Sequence, residues 1–177
     1  MKQVYPIYYP QFFTATILEW KHLLEDDKYK DIIINSLKFL VTEKRIILNA
    51  FVIMSNHMHL IWQPTFEFTP SDIQASFMKQ TAKQLKLTLT KNDAIALQDF
   101  KVNKYDRNYQ IWKREPLSIE LFTPDVFIQK LGYIHNNPVR AGLCSYPEEY
   151  HYSSAKFYET GVDEFGMLSY SMEIELY

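Results

Sequence analysis

The sequence predicts an α+β fold of the ferredoxin-like kind, an antiparallel sheet with helices packed on it. Three observations lead there. A stretch rich in β-branched and aromatic residues runs from Gln11 to Trp20. A tight hairpin pattern spans Ala50–Trp62. Two helix starts are marked by a threonine followed by a proline, at Thr69-Pro70 and Thr123-Pro124. Together they give the order strand, helix, strand, strand, helix, with a later strand and helix, close to β-α-β-β-α-β.

The first strand, Gln11–Trp20, puts Phe13, Ala15, Ile17 and Glu19 on one face and Phe12, Thr14, Thr16 and Leu18 on the other. Apolar residues on both faces predict a central strand. Lys21–Asp27 is polar and reads as a loop. In Tyr29–Glu43 the apolar positions Ile32, Ile33, Leu37, Leu40 and Val41 fall near helical spacing, so an amphipathic helix is expected.

Ala50–Met54, with Ile46 as an earlier possible start, and His57–Trp62 are short apolar strands joined by Ser55-Asn56. Serine and asparagine bond their own backbone and suit such a turn. Pro64 closes the second strand. Thr69 caps a helix with Pro70 at its first position, and Ile73, Phe77, Ala82, Leu85 and Leu87 carry an apolar stripe to about Leu89.

Residues Thr90–Tyr109 are polar and carry no clear period, and a strand is expected within Ile111–Leu121. Thr123 opens a last long helix bearing Val126, Phe127, Leu131 and Ile134. It is expected to end near Asn136, because Asn137 precedes Pro138 and pre-proline residues avoid the α region. From about Ser145 the chain is irregular and acidic, with a short helix near Tyr152–Tyr158. No repeat or linker divides it, so residues 1–177 read as one domain.

The hydrophobic share of 47% is enough for a full core without disulfides. Cys144 stands alone, which rules out an internal disulfide and fits a reducing, cytoplasmic setting. The opening Met1–Pro6 leads into mixed polar and aromatic residues, so no signal peptide is expected. No stretch reaches the ~18 apolar residues of a membrane helix. A net charge of −2 argues mildly against nucleic-acid binding. The average conceals an asymmetry, however. Lys79–Glu115 holds nine basic and four acidic residues, a balance of +5, whereas Ser145–Tyr177 holds one basic and seven acidic, a balance of −6. A basic middle offset by an acidic tail is compatible with a basic groove, and equally with a solvated charged helix.

The second hairpin strand opens His57-Met58-His59. Side chains two apart share a face of a strand, so the imidazoles project together while Met58 and Leu60 point into a core. Two neutral imidazoles side by side are half of a divalent-metal site, or merely two polar residues at the wet end of a strand. The pattern His-apolar-His resembles the HUH motif of single-strand DNA nucleases. The longer Met54-Ser-Asn-His-Met-His-Leu60 is similar to the Met-Pro-Asn-His-Val-His-Leu string of REP-associated tyrosine transposases, with Ser55 in place of the proline. A second stretch, Tyr133-Ile-His-Asn-Asn-Pro-Val-Arg-Ala-Gly142, resembles the late helix of the same family. Trp112-Lys-Arg-Glu115 and Pro147–Ala155 extend the likeness, which covers roughly Ile46–Ala155.

The resemblance implies a covalent nucleophile at Tyr133 and a metal bound by His57, His59 and Asn137. It also implies single-stranded or hairpin DNA as partner, and it leaves monomer and homodimer both open. The chemistry is coherent. A phenol with a pKa of ~10 is a poor nucleophile unless a cation polarises the phosphodiester. Mg²⁺ prefers oxygen ligands and Mn²⁺ tolerates imidazole better, so either fits. Lys79, Lys83, Arg107, Lys113, Arg114 and Arg140 are the candidate DNA contacts. The other readings are a domesticated, non-catalytic nucleic-acid-binding protein on the same fold and a metallohydrolase that uses metal-bound water. Tyr133 could also only pack beside Ile134, and Asn137 could only end a helix. His135, two residues along a helix, falls on the opposite side, and His22 and His151 are expected in solvent. Trp62, Trp112 and Tyr109 suit either base stacking or core packing.

Overall fold

The computed structural model describes residues 8–65 and 67–171. The first and last few positions, including the opening segment and the end of the acidic tail, lie outside the described residues. Four strands form the main sheet: β1 (Gln11–Thr16), β2 (Ile46–Ile53), β3 (His57–Pro64) and β6 (Leu117–Glu120), in the order β2-β3-β1-β6, every neighbour antiparallel. This is the ferredoxin-like layout. Helices α1 (Asp27–Thr42) and α2 (Pro70–Asn92) cover one face, and α4 (Pro124–Arg140) covers the other.

Strand alternation sorts the core into two layers. Phe13, Ala15, Ile17, Met58, Leu60 and Trp62 face α1 and α2. Phe12, Ala50, Val52 and Ile61 meet Phe127 and Ile134 of α4. Trp62 is fully buried and Trp112 nearly so, with its indole N–H donating to Thr81 Oγ1 at 3.0 Å, so both belong to the core. The buried stripe of α2 is Ile73, Phe77, Thr81, Leu85 and Leu89. Leu87, expected inside, is exposed, because a strict i, i+4 row runs through Thr81 instead.

Three other expectations change. The first strand ends at Thr16 and not Trp20, because β3 begins opposite it at His57 and offers no partner beyond. The chain instead turns through Leu18–Trp20, with Glu19 at φ 54° and Trp20 at φ 58°. The polar stretch 90–109 contains a short helix, α3 (Ala94–Gln98), and a separate hairpin of β4 (Lys101–Lys104) and β5 (Arg107–Tyr109). These strands lack apolar alternation, so no period betrays them.

The last long helix runs through Pro138 to Arg140. The proline forfeits one backbone bond, a cost of about 3 kcal/mol in a helix interior. It is nevertheless buried, and the turn beyond it is closed by Ala141 N–H to Asn137 O at 3.1 Å and Leu143 N–H to Pro138 O at 2.9 Å. Burial and capping outweigh the local pre-proline preference.

The segment after Ser145 is less irregular than its composition suggests. It contains a 3₁₀ turn at Pro147–Glu149 and α5 (Ala155–Thr160), and it docks on the outer edge of β2. Ile53 N–H donates to Tyr152 O and Ser169 N–H to Leu48 O, both at 2.9 Å. Covering the edge removes a template for strand addition.

Candidate active site

Strand β3 supplies His57 and His59 on the face toward α4, as period-two alternation requires. Helix α4 supplies Tyr133 and Asn137, four apart and therefore on one side of the helix. They share that side only because the helix continues past Pro138. The four side chains line one cavity of about 410 Å³ with Thr14, Thr16, Trp20, Arg140 and Ala141.

The two imidazole rings lie 4.9 Å apart, centre to centre, and His59 meets the Tyr133 ring at 5.2 Å. His59 is 5% exposed, stacked on Phe12 at 5.3 Å, with its Nδ1 bonded to Thr14 Oγ1 at 2.7 Å. Its Nε2 is buried without a hydrogen-bond partner. Buried polar atoms are rarely left so, and one that is demands a reason. His57 is half-buried, and its Nδ1 bonds to Asn56 Oδ1 at 2.7 Å.

Burial pushes the His59 pKa down to about 3, helped by the positive charge that His57 and Lys130 would set against it. Burial also lowers His57, against an opposing hydrogen bond from Asn137. Both rings are therefore neutral near pH 7, the form in which imidazole binds a metal. Two neutral imidazoles and one amide oxygen form a donor set that fits a divalent cation and leaves positions open for a phosphate. Among the described residues no three His, Cys, Asp or Glu side chains come together, and Asn137 is the amide that lines the cavity with the two histidines.

Tyr133 is 37% exposed, and two cations flank its ring. Arg140 Cζ lies 5.2 Å from the ring centre and Lys130 Nζ 5.8 Å, with Lys130 also 4.8 Å over Phe12. Lys130 and Thr14 are not among the site residues expected from the sequence. Lys130 was within reach, since positions 130, 133, 137 and 140 follow one helical face; nothing in the sequence pairs Thr14 with His59.

The other basic candidates gather elsewhere. Lys79, Lys83, Arg107, Lys113 and Arg114, with Lys86, line a larger groove of about 770 Å³ beside α2 and β5. Arg140 alone sits in the histidine cavity. The two regions touch where Lys113 N–H donates to Thr16 O at 2.7 Å. Within the groove Arg107 and Arg114 both face Asp106, and the Arg107 guanidinium holds that carboxyl below its usual range. Tyr109 lies half-buried in the groove under Lys86, whose Nζ is 5.0 Å from the ring. His135 bonds Ser154 Oγ through Nε2 at 2.9 Å on the far side of α4, away from the cavity. His22 and His151 are exposed as expected, yet each has a partner, Ser55 Oγ at 2.7 Å and Glu164 at 3.4 Å.

No family model and no curated protein matches this chain. Solved structures do. A REP-associated tyrosine transposase bound to a REP hairpin superposes with a TM-score of 0.64 at 18% identity, over 96% of this chain and 91% of that one. A protein of Deinococcus radiodurans R1 described as a candidate transposase gives a TM-score of 0.47 at 18% identity, over 77% of this chain and 97% of that one. This chain shares the fold of that REP-associated tyrosine transposase. No helix among the described residues is long and apolar enough to cross a membrane.

Proposed function

We propose that this protein is a metal-dependent DNA strand transferase. It cuts single-stranded DNA beside a hairpin and rejoins it through a phosphotyrosine at Tyr133. One observation carries the reading: Tyr133, His57, His59 and Asn137 line a single cavity, with His59 Nε2 buried and uncommitted. The fold shared with a transposase captured on a REP hairpin supports a DNA hairpin as partner.

His57, His59 and Asn137 would hold the cation, Mg²⁺ or Mn²⁺, which when bound supplies Lewis-acid polarisation of a phosphate oxygen. Thr14 holds the His59 ring through Nδ1 and leaves Nε2 free of a hydrogen bond. The Tyr133 oxygen attacks phosphorus, the P–O3′ bond breaks, the phenol loses its proton and the leaving 3′ oxygen gains one. The phosphoester is exchanged and not hydrolysed, so a second 3′-OH can reverse the step and expel Tyr133 without ATP. Lys130 and Arg140 sit beside the ring that must carry negative charge when expelled. Lys79, Lys83, Arg107, Lys113 and Arg114 would bind the DNA backbone outside the cavity.

The test is incubation with single-stranded oligonucleotides carrying a hairpin and randomised flanks, with Mn²⁺, followed by a denaturing gel. A protein–DNA adduct is expected. Cleavage without an adduct assigns the chemistry to metal-bound water, and binding with neither assigns the chain to non-catalytic recognition.

A further inference from the structure

Trp20 occupies an unusual position. It is 55% exposed, although tryptophan carries the largest apolar surface of any side chain, and it lines the wall of the histidine cavity. Its indole meets the His57 ring edge-on, 6.1 Å between centres. Its backbone is left-handed, as is that of Glu19, and neither residue is a glycine. Two consecutive residues of this kind persist only where surrounding bonds over-determine them.

Those bonds are present, and most lead to one place, the Ser55-Asn56 turn that opens β3. Ile17 N–H donates to Asn56 O at 2.9 Å, Asn56 Nδ2 to Trp20 O at 3.3 Å, and Leu24 N–H to Ser55 O at 2.8 Å. Beyond them, His22 Nδ1 bonds to Ser55 Oγ at 2.7 Å. The loop that presents Trp20 is therefore latched to the turn that positions His57. Among the described residues the indole belongs to neither core layer, and the strained backbone keeps it at the cavity wall.

We infer that Trp20 is a stacking platform for the unpaired base next to the phosphate attacked by Tyr133, and so a positioning residue for the single-stranded part of the substrate. This rests on the strand-transferase reading above. A flat, exposed, rigidly held aromatic ring binds bases of any identity through their faces. A duplex keeps its base faces stacked within itself, so the platform selects single strands.

The other two tryptophans, Trp62 and Trp112, are buried in the core, so solvent-accessible tryptophan emission reports on Trp20. The experiment titrates the full chain bearing Tyr133→Phe with a single-stranded oligonucleotide. It follows tryptophan emission, and independently the anisotropy of a dye on the DNA. Quenching that tracks anisotropy and is lost in Trp20→Phe is expected. Trp20→Ala should weaken binding about tenfold and Trp20→Phe far less, following the usual worth of one stacked base. The alanine penalty should vanish when the flanking nucleotide is abasic.

DNA binding with unchanged tryptophan emission overturns the platform, as does an equal alanine penalty on intact and abasic strands. Neither result touches the transferase reading, which is judged on the adduct formed by the protein with Tyr133 intact. Conversely, base-dependent quenching without any adduct leaves Trp20 a base-stacking surface and removes both the transferase and the positioning role beside Tyr133. No DNA binding at all overturns both.

Discussion

Tyr133 and His59 meet edge to face, 5.2 Å between ring centres and 69° between planes, although one stands on a helix and the other on a strand. This contact joins the proposed nucleophile to the proposed metal site. It depends on α4 being pressed onto the sheet through Phe127 and Ile134.

Tyr133→Phe deletes one oxygen from a partly exposed ring and keeps its packing against Phe12 and His59. Stability should change by no more than about 0.5 kcal/mol, the usual range for surface positions. Cleavage and the covalent adduct should fall below detection while DNA affinity stays within a few-fold. Comparable cutting by both proteins would sink the mechanism.

The two histidines should differ when replaced by alanine. Both variants should lose metal-dependent cleavage. His59 is buried, stacked and hydrogen-bonded, so His59→Ala should also cost about 1–3 kcal/mol of stability, whereas half-buried His57 should cost less. Thermal melts with and without Mn²⁺ measure both effects. Equal melting temperatures for the two variants would contradict the burial described.

Thr14→Val removes the hydroxyl that holds His59 Nδ1 and keeps the shape. Metal affinity should drop about 10- to 100-fold, as for other residues that orient a ligand. Isothermal titration with Mn²⁺ gives the answer, and an unchanged affinity would leave the Thr14 bond without a functional part.

Groove charges should not count equally. Arg107 is already paired with Asp106, whereas among the described residues no salt bridge engages Lys79 or Lys83. Lys83→Ala should lower the slope of log affinity against log salt by about 0.7–0.9. Arg107→Ala should lower it by less. The reverse order would mean that DNA does not lie along α2.

Alkaline pH should loosen the fold. The Tyr150 hydroxyl donates to Ile53 O at 2.8 Å, and burial pushes its pKa up to about 12. A raised tyrosine pKa means the folded state keeps the proton longer than the unfolded chain. The stabilisation is complete below pH 10 and is lost as pH rises toward 12. Tyr152 and Tyr158 are shifted in the same direction, chiefly by burial. Melting temperature measured from pH 9 to 12 should fall above about pH 10, and Tyr150→Phe should flatten the fall by at most about 1.4 kcal/mol per pH unit.

Much of this was legible in the sequence, and what was not has physical causes. His57 and His59 share a face because a strand has no other option at spacing two. The helix bearing Tyr133 announces itself through Thr123, which caps Val126 N–H as expected. Its continuation past Pro138 was not legible, because the pre-proline preference is local whereas the burial of Pro138 is tertiary. The hairpin of β4 and β5 is short, polar and largely exposed, so it leaves no periodic trace. Thr14 could be assigned to His59 only once β1 and β3 were known to pair in that register. Trp20 falls at the end of the expected first strand, and its place beside His57 follows from the strand stopping early.

The cavity is assembled from pieces that are far apart along the chain, with His57 and His59 before residue 60 and Tyr133 and Asn137 beyond residue 130. Closing so long a loop is slow compared with forming a helix or a hairpin. A chain emerging from the ribosome therefore completes its histidine strand well before its tyrosine helix exists. On the proposed mechanism, a chain that stops before α4 has the histidine pair without Tyr133 and forms no adduct with DNA.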